Sequence, residues 1–253
     1  MMRIGYINAM VSEPIGEAYK AGLIRGLKSS GFPIEVVSMD LNYGRGWSPK
    51  QMSQWAENNQ VAAVVLSGSE KNTTDREDPW IQDYYFGLKE LLHYRGDPQD
   101  WMGPPFAVMG ICFGHQALSC ALGGETARFG KRRGLVAWST LPTAKSHRFF
   151  RRALDEDRGR CLAIHSDHVI RLPRDFIPMA TSLDCLIEAM AHRQWPIVSL
   201  QSHPEMDSSV LQVPEEAVDW VGVDPNDFSK SDGPKILRAF ALYAKEEAQR
   251  PIQ

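Results

Sequence analysis

The run VAAVVL at residues 61–66 carries no charge, no hydroxyl and no amide. Six consecutive apolar residues put apolar side chains on both faces of a strand, so the strand must be covered on both sides. Residues 106–109 (FAVM) repeat the pattern. Residues 4–7 and 34–39 read as two further strands. Between these runs lie helical stretches. In residues 14–27, Ile15, Tyr19, Leu23 and Leu27 recur four apart and make one apolar stripe. In residues 80–93, Ile81, Tyr84, Leu88 and Leu91 recur three or four apart and make another such stripe. Residues 48–58 read as a short helix, with Pro49 in a tolerated first-turn position behind a capping Ser48. Strand and helix in alternation predict an α/β fold with a mostly parallel central sheet and helices on both faces.

After Gly123 the pattern changes. Residues 134–141, 161–172 and 177–181 read as strands without long helices between them. Residues 185–191 and 196–201 are spaced as a hairpin. These strands suggest a small β subdomain added to the α/β sheet. Residues 151–160 (RRALDEDRGR) read as a solvated helix and loop, and residues 235–247 as a closing helix. Residues 207–234 are polar and turn-rich, as in an insertion or lid. No linker divides the chain, so a single domain is expected over residues 1–253.

Composition removes several functions. A net charge of −3 leaves no basic footprint for nucleic acid. No apolar run reaches bilayer length, and MMRIGYINAM lacks a signal-length run. A cytoplasmic location without a membrane partner is therefore expected. The four cysteines, at 112, 120, 161 and 185, show no CxxC spacing that would suggest zinc. In a cytosolic chain they would stay reduced. Cys120, Cys161 and Cys185 read as small buried hydrophobes.

Cys112 differs, because it lies in GICFGHQ, between a strand-like and a helix-like run. Small flanking residues permit a sharp strand-to-helix turn that projects the middle side chain above the strand ends. The amino end of the following helix then points at the sulfur and favours thiolate over thiol. A proton carrier is found in SHPE, where His203 and Glu205 follow the strand-like residues 197–201. Residues two apart in extended chain face one side, so Glu205 can hold the His203 ring in one tautomer. Cys112, His203 and Glu205 thus have the makings of nucleophile, base and orienter. An oxyanion would need backbone N–H donors. Phe113, next after the nucleophile, offers one, and the Gly68–Ser69 turn after residues 61–66 offers a second. Taken alone, Ser67-Gly68-Ser69 is only a turn.

With these motifs in the order VVLSGSE, GICFGHQ and SHPE, the chain resembles the class I glutamine amidotransferases of the triad type. The likeness runs from about Arg3 to Glu205. It implies a flavodoxin-like three-layer sandwich and release of ammonia from glutamine through a glutamyl thioester, with no cofactor and no metal. It casts Cys112 as nucleophile, His203 as acid and base, and Glu205 as orienter. It further places Gly68, Ser69 and Phe113 in the oxyanion hole and Gln116 beside the substrate. Residues 165–173 (HSDHVIRLP) resemble a segment near the family's site, so His165, Ser166 and Asp167 join the expected substrate contacts. Residues 78–81 (DPWI) resemble the stand-alone, GMP synthase-like branch, some members of which cleave γ-glutamyl peptides.

Two features depart from the family. Gly68 is followed by serine where a second glycine is common. No P-loop or ATP-pyrophosphatase motif occurs in the 253 residues. The acceptor of the ammonia is therefore expected on another chain, or not at all. Three functions compete: a glutaminase supplying a synthetase partner, a free-standing γ-glutamyl hydrolase, and a non-catalytic member of the fold. His115 reads as a packed helix histidine, and His165 and His168 either as wall residues of the site or as polar strand-end residues. The basic residues Arg128, Lys131, Arg132 and Arg133 read as a loop. They are either solvated or placed to recognise a substrate carboxylate.

Overall fold

Alternate residues of β3 (Ala63–Leu66) enter opposite layers of the molecule. In the computed structural model, which describes residues 1–41, 46–94, 96, 101–154, 157–213 and 223–250, Ala63 and Val65 join one apolar cluster and Val64 and Leu66 the other. The two-residue period of a strand is the cause. All four are fully buried.

Around β3 the chain builds one sheet. β1 (Met2–Asn8) and β2 (Ile34–Asp40) pair in parallel, β3 adds to the other edge of β1, and β4 (Ala107–Ile111) follows β3. β5 (Glu125–Thr140), β6 (Arg158–Arg171), β7 (Phe176–Thr181), β8 (Ala189–His192) and β9 (Ile197–Leu200) complete it. The order across nine strands is β2-β1-β3-β4-β9-β8-β7-β5-β6. β9 pairs in parallel with β4 and antiparallel with β8, and is the seam between a parallel and an antiparallel half. The strands expected as an added β subdomain continue the same sheet.

Helices cover both faces. On one lie α1 (Glu13–Lys28), α5 (Pro142–Ser146), α6 (Phe150–Ala153) and α7 (Gly233–Ala248), which contribute Leu23, Ala144, Phe150 and Phe240 to the first cluster. On the other lie α2 (Lys50–Asn58), α3 (Pro79–Leu91) and α4 (Phe113–Ala121), which contribute Met52, Tyr84 and Phe113 to the second. This is the three-layer, flavodoxin-like sandwich.

Three local expectations need correcting. Ser48 does not cap α2 with its hydroxyl: Gln51 Oε1 instead accepts the Ser48 N–H at 2.6 Å. Cys161 and Cys185 are buried, but Cys120 is partly exposed. Arg128, Lys131, Arg132 and Arg133 lie within β5, in and beside the irregularity between Arg128 and Arg132, and not in a loop. That strand begins at Glu125 and escapes an apolar-run search because its middle is charged and exposed. The hairpin of β8 and β9 forms as expected. In the 207–234 stretch, Val210 and Phe228 pack with Ile15 and Tyr19 of α1. Residues 214–222 of that expected insertion lie outside the described residues. Among the described residues, no helix is long and apolar enough to cross a membrane, and no cluster of three or more metal-ligating side chains occurs.

Candidate active site

At the carboxyl end of β4 the chain turns into α4 at Cys112, whose φ of 49° and ψ of −104° are strained for any residue with a Cβ. The glycines on either side make so close a turn possible. A Cβ on Gly110 would stand 2.7 Å from Leu118 Cδ1, and one on Gly114 only 2.6 Å from the Leu66 carbonyl oxygen. Strand and helix could not approach so closely with larger residues. The Cys112 N–H donates to the Leu200 carbonyl at 2.9 Å, which fixes the turn to β9. The Phe113 ring packs edge-on against Tyr84, with centroids 5.1 Å apart, and ties the turn to α3. First-turn N–H groups of α4, Phe113 among them, lack intrahelical acceptors and point toward the turn.

His203 arrives from the end of β9. Its N–H donates to the Leu162 carbonyl of β6 at 2.7 Å, so both halves of the sheet fix it. Its Nδ1 lies 2.8 Å from Glu205 Oε1, and both side chains are almost fully buried. With Nδ1 engaged by Glu205, Nε2 is the remaining ring nitrogen, and His203 and Cys112 line one cavity. Burial opposes a charge on the ring, but the charges of Cys112 and Glu205 and the hydrogen bond to Glu205 outweigh it. The imidazole is held well above its usual value near 6.5. Tyr19 of α1 sets its ring edge-on to His203, with centroids 5.2 Å apart.

Gly68 lies directly against the His203 ring. A Cβ there would come within 2.6 Å of His203 Cε1. Its carbonyl accepts the Ser67 hydroxyl at 2.7 Å, while Ser67 Oγ accepts the Ala9 N–H at 2.8 Å. A trans peptide sets C=O and N–H in opposite directions, so this bond also orients the Ser69 N–H. The Ser69 hydroxyl is taken up by the Ala9 carbonyl at 2.8 Å.

A cavity of about 220 Å³ opens over the sulfur. Cys112, His203, Gln116, Ser69, His165, Ser166 and Asp167 all line it, so seven of the ten expected site residues share one wall. Gly68 meets the His203 ring, Phe113 packs beneath the turn, and Glu205 stands behind His203. The Gln116 amide donates to the Asp167 carbonyl oxygen at 2.6 Å. The Asp167 carboxylate is turned away to other partners: it accepts from the Thr74 N–H at 2.8 Å, from the hydroxyls of Thr73 and Thr74 at 3.0 Å, and from Arg128 at 3.3 Å. Asp167 therefore braces the 71–78 loop against β6. His165 has Nδ1 3.2 Å from the Asp167 carbonyl oxygen, and burial, with His168 and Arg132 nearby, pushes it down to about 3. It is neutral near pH 7, as is His115, which burial also pushes down to about 3 and whose Nδ1 lies 2.8 Å from Ser199 Oγ. Of the basic residues on β5, Lys131 reaches the cavity wall. Arg132 instead pairs with buried Glu188.

Sequence reasoning missed three contributors. Glu70 accepts the N–H groups of Val11 and Ser12 at 2.8 and 3.0 Å and so holds the entry to α1 at the cavity. Tyr19 contacts the base. Gln201 points its carboxamide Nε2 at Cys112 Sγ, 3.9 Å away. β9 ends at Leu200, and a turn closed by the Met206 N–H on the His203 carbonyl at 3.3 Å, not strand alternation, brings Glu205 back to His203, so alternation gave no signal for Gln201. Tyr19 and Glu70 give no signal either.

The chain has recognisable relatives among known proteins. A family model described as glutamine amidotransferase class-I matches residues 15–213. A glutamine-hydrolysing GMP synthase of Proteus mirabilis is 26% identical over 195 residues, 76% of this chain and 32% of the relative. The chain thus spans about a third of the length of that relative. A glutamine-hydrolysing GMP synthase subunit from Methanococcus aeolicus is 34% identical over 155 residues, 61% of this chain and 70% of that one. A crystal structure of a glutamine amidotransferase from Thermotoga maritima superposes with a TM-score of 0.67 at 18% identity, covering 98% of this chain and 99% of the other.

Proposed function

The chain belongs to the class I glutamine amidotransferase family, and from that membership we propose that it hydrolyses the γ-amide of glutamine and releases ammonia. The observation that carries this reading is the buried His203 ring, hydrogen-bonded at Nδ1 to Glu205 and sharing the wall of a small cavity with Cys112. Cys112 Sγ attacks the γ-carbonyl carbon, and the carbonyl electron pair moves onto oxygen. The N–H groups of Phe113 and Ser69 hold that oxyanion. The His203 imidazolium gives its proton to the leaving nitrogen, the C–N bond breaks, and ammonia departs from a glutamyl thioester. His203 then takes a proton from water, whose oxygen attacks the thioester. The thiolate leaves, and glutamate is released. Glu205 keeps Nδ1 engaged throughout, so that Nε2 does the proton transfer. Gln116 and the backbone at Ser166 and Asp167 contact the substrate.

A cavity of about 220 Å³ is small beside the roughly 300–1,000 Å³ typical of sites for larger ligands. That size supports glutamine itself as the substrate. A second reading, cleavage of γ-glutamyl peptides, draws on one observation: among the described residues, none of the 207–234 stretch lines the cavity. Its mouth is therefore not covered by the described part of that stretch. The Methanococcus relative is one component of a multi-chain synthase, by its name. That motivates a further element of the proposal: a synthetase on another chain consumes the ammonia.

The test is a substrate panel on the purified chain: glutamine against γ-glutamyl dipeptides, with ammonia and glutamate measured, alone and with added synthetase. Glutamine turnover that is lost in Cys112→Ala, with the circular dichroism spectrum retained, is expected. Faster turnover of dipeptides would favour the second reading. Neither ammonia nor glutamate from any substrate under any condition would overturn both.

A further inference from the structure

The sulfur of Cys112 has three polar neighbours besides the helix terminus: the His203 ring, the Ile164 carbonyl oxygen at 3.6 Å, and Gln201 Nε2 at 3.9 Å. In the thiol form, S–H can donate to the Ile164 carbonyl. Once the proton has moved to His203, that carbonyl faces an anion and repels it. Cys112 is only 4% exposed, so water is a poor substitute partner. The sulfur anion then depends on groups that can donate to it.

Gln201 is placed for that task. It is fully buried. Its backbone N–H donates to the Glu188 carbonyl at 2.8 Å, and the preceding residue, Leu200, accepts the Cys112 N–H at 2.9 Å. The backbones that carry the amide and the sulfur are thus locked to one another. The carboxamide turns its nitrogen to the sulfur, while Oε1 is buried without a partner among the described residues. An amide that leaves its own oxygen unsatisfied to turn N–H toward a sulfur costs stability, and an anion at that sulfur returns it.

We propose that Gln201 is a second donor to the nucleophile, its side-chain N–H holding the Cys112 sulfur anion beside His203 and away from the Ile164 carbonyl. The proposal rests on Cys112 being the nucleophile of the reaction above. The separation of 3.9 Å is long for a resting contact, and it closes as the sulfur leaves Ile164, as hydrogen bonds of unliganded sites commonly tighten on reaction.

Gln201→Met keeps the length of the side chain and removes the donor. Alkylation of Cys112 by iodoacetamide at pH 7, followed by mass spectrometry of the Cys112 peptide, reads the reactivity of the sulfur without requiring turnover. The expected result is a rate about 10- to 100-fold lower than in the unsubstituted protein. The kcat for glutamine should fall by a similar factor, with KM changed less than about twofold. An unchanged alkylation rate would overturn the proposal, even if kcat fell. If the unsubstituted chain hydrolyses nothing while Gln201→Met still slows alkylation, the functional reading fails and this one stands. A second measurement needs no variant. A neutron or atomic-resolution structure of the unsubstituted protein should show Nε2 toward the sulfur; Oε1 in that position would sink the idea.

Discussion

The two halves of the sheet divide the site between them. On the parallel side, β3, β4 and β9 are buried at every residue and end in the groups proposed to react or hold charge: Gly68 and Ser69 after β3, Cys112 after β4, His203 and Glu205 after β9. On the antiparallel side, β5 and β6 alternate or lose burial altogether, and they supply the wall: Lys131, Ile164, His165, Ser166 and Asp167. A strand covered on both faces cannot move without disturbing two cores, so strand ends there hold geometry to a fraction of an ångström. A strand with one wet face tolerates charge and variation. The parallel half should therefore govern chemistry, and the antiparallel half binding.

The largest effects should come from the seam at β9. His203→Ala is expected to abolish measurable turnover, and Glu205→Gln to cost roughly 10- to 100-fold less than that, because an orienter matters less than the base it orients. Steady-state ammonia release measures both. Equal losses would mean that Glu205 takes part directly.

Gly68→Ala tests the tightness of the parallel half. The added methyl group would meet His203 Cε1 at 2.6 Å and push the base off line. A drop in kcat of about 10²-fold is expected, in keeping with the cost of misplacing a catalytic group by about 1 Å. Normal kcat would show that the ring can give way, and that the parallel half is less rigid than its burial implies.

His115 puts a titratable group into the same rigid interior, between α4 and β9. Its folded value, about 3, lies below its usual 6.5. Between those values the unfolded chain binds a proton that the folded one refuses. The stability that neutral His115 contributes is therefore complete above about pH 6.5 and is lost as pH falls toward 3, at up to about 1.4 kcal/mol per pH unit. Urea unfolding from pH 7 to pH 4 should show this slope, reduced in His115→Asn. An unaltered slope would place the acid sensitivity elsewhere.

The smallest effect on turnover should come from the wall. Asp167→Asn weakens the brace to Thr73, Thr74 and Arg128. A loss of about 1–3 kcal/mol in stability is expected, with KM raised severalfold and kcat nearly kept. If kcat fell as far as in Gly68→Ala, the division between chemistry and binding would not hold.

How much of this can be read without coordinates follows the same division. The parallel half is legible, because its runs of apolar residues and its helical stripes are local patterns with one physical cause, burial on both faces. The elbow at Cys112 is legible for a similar reason: a cysteine between Gly110 and Gly114, ahead of a helix, has few backbone solutions. The antiparallel half is not. β5 reads as a loop across Arg128–Arg133, because a strand stays in a sheet through its backbone hydrogen bonds even where its side chains are charged and wet.

By itself, then, the amino-acid order determined the layers, the sharp turn that lifts the thiol, and the pairing of imidazole with carboxylate two residues on. Each is a matter of near neighbours in the chain: burial period sets the layers, glycine leaves room for the sharp turn, and a tight turn after β9 brings the carboxylate back to the imidazole. Folding alone decided that Leu162 would grip the backbone of His203, that Asp167 would spend its carboxylate on two threonines and an arginine, and that the Gln201 amide would face the sulfur. Those contacts join residues far apart in the chain. Their partners are chosen by strand register and by the burial of polar groups that must find one another, and no short stretch of sequence carries that information.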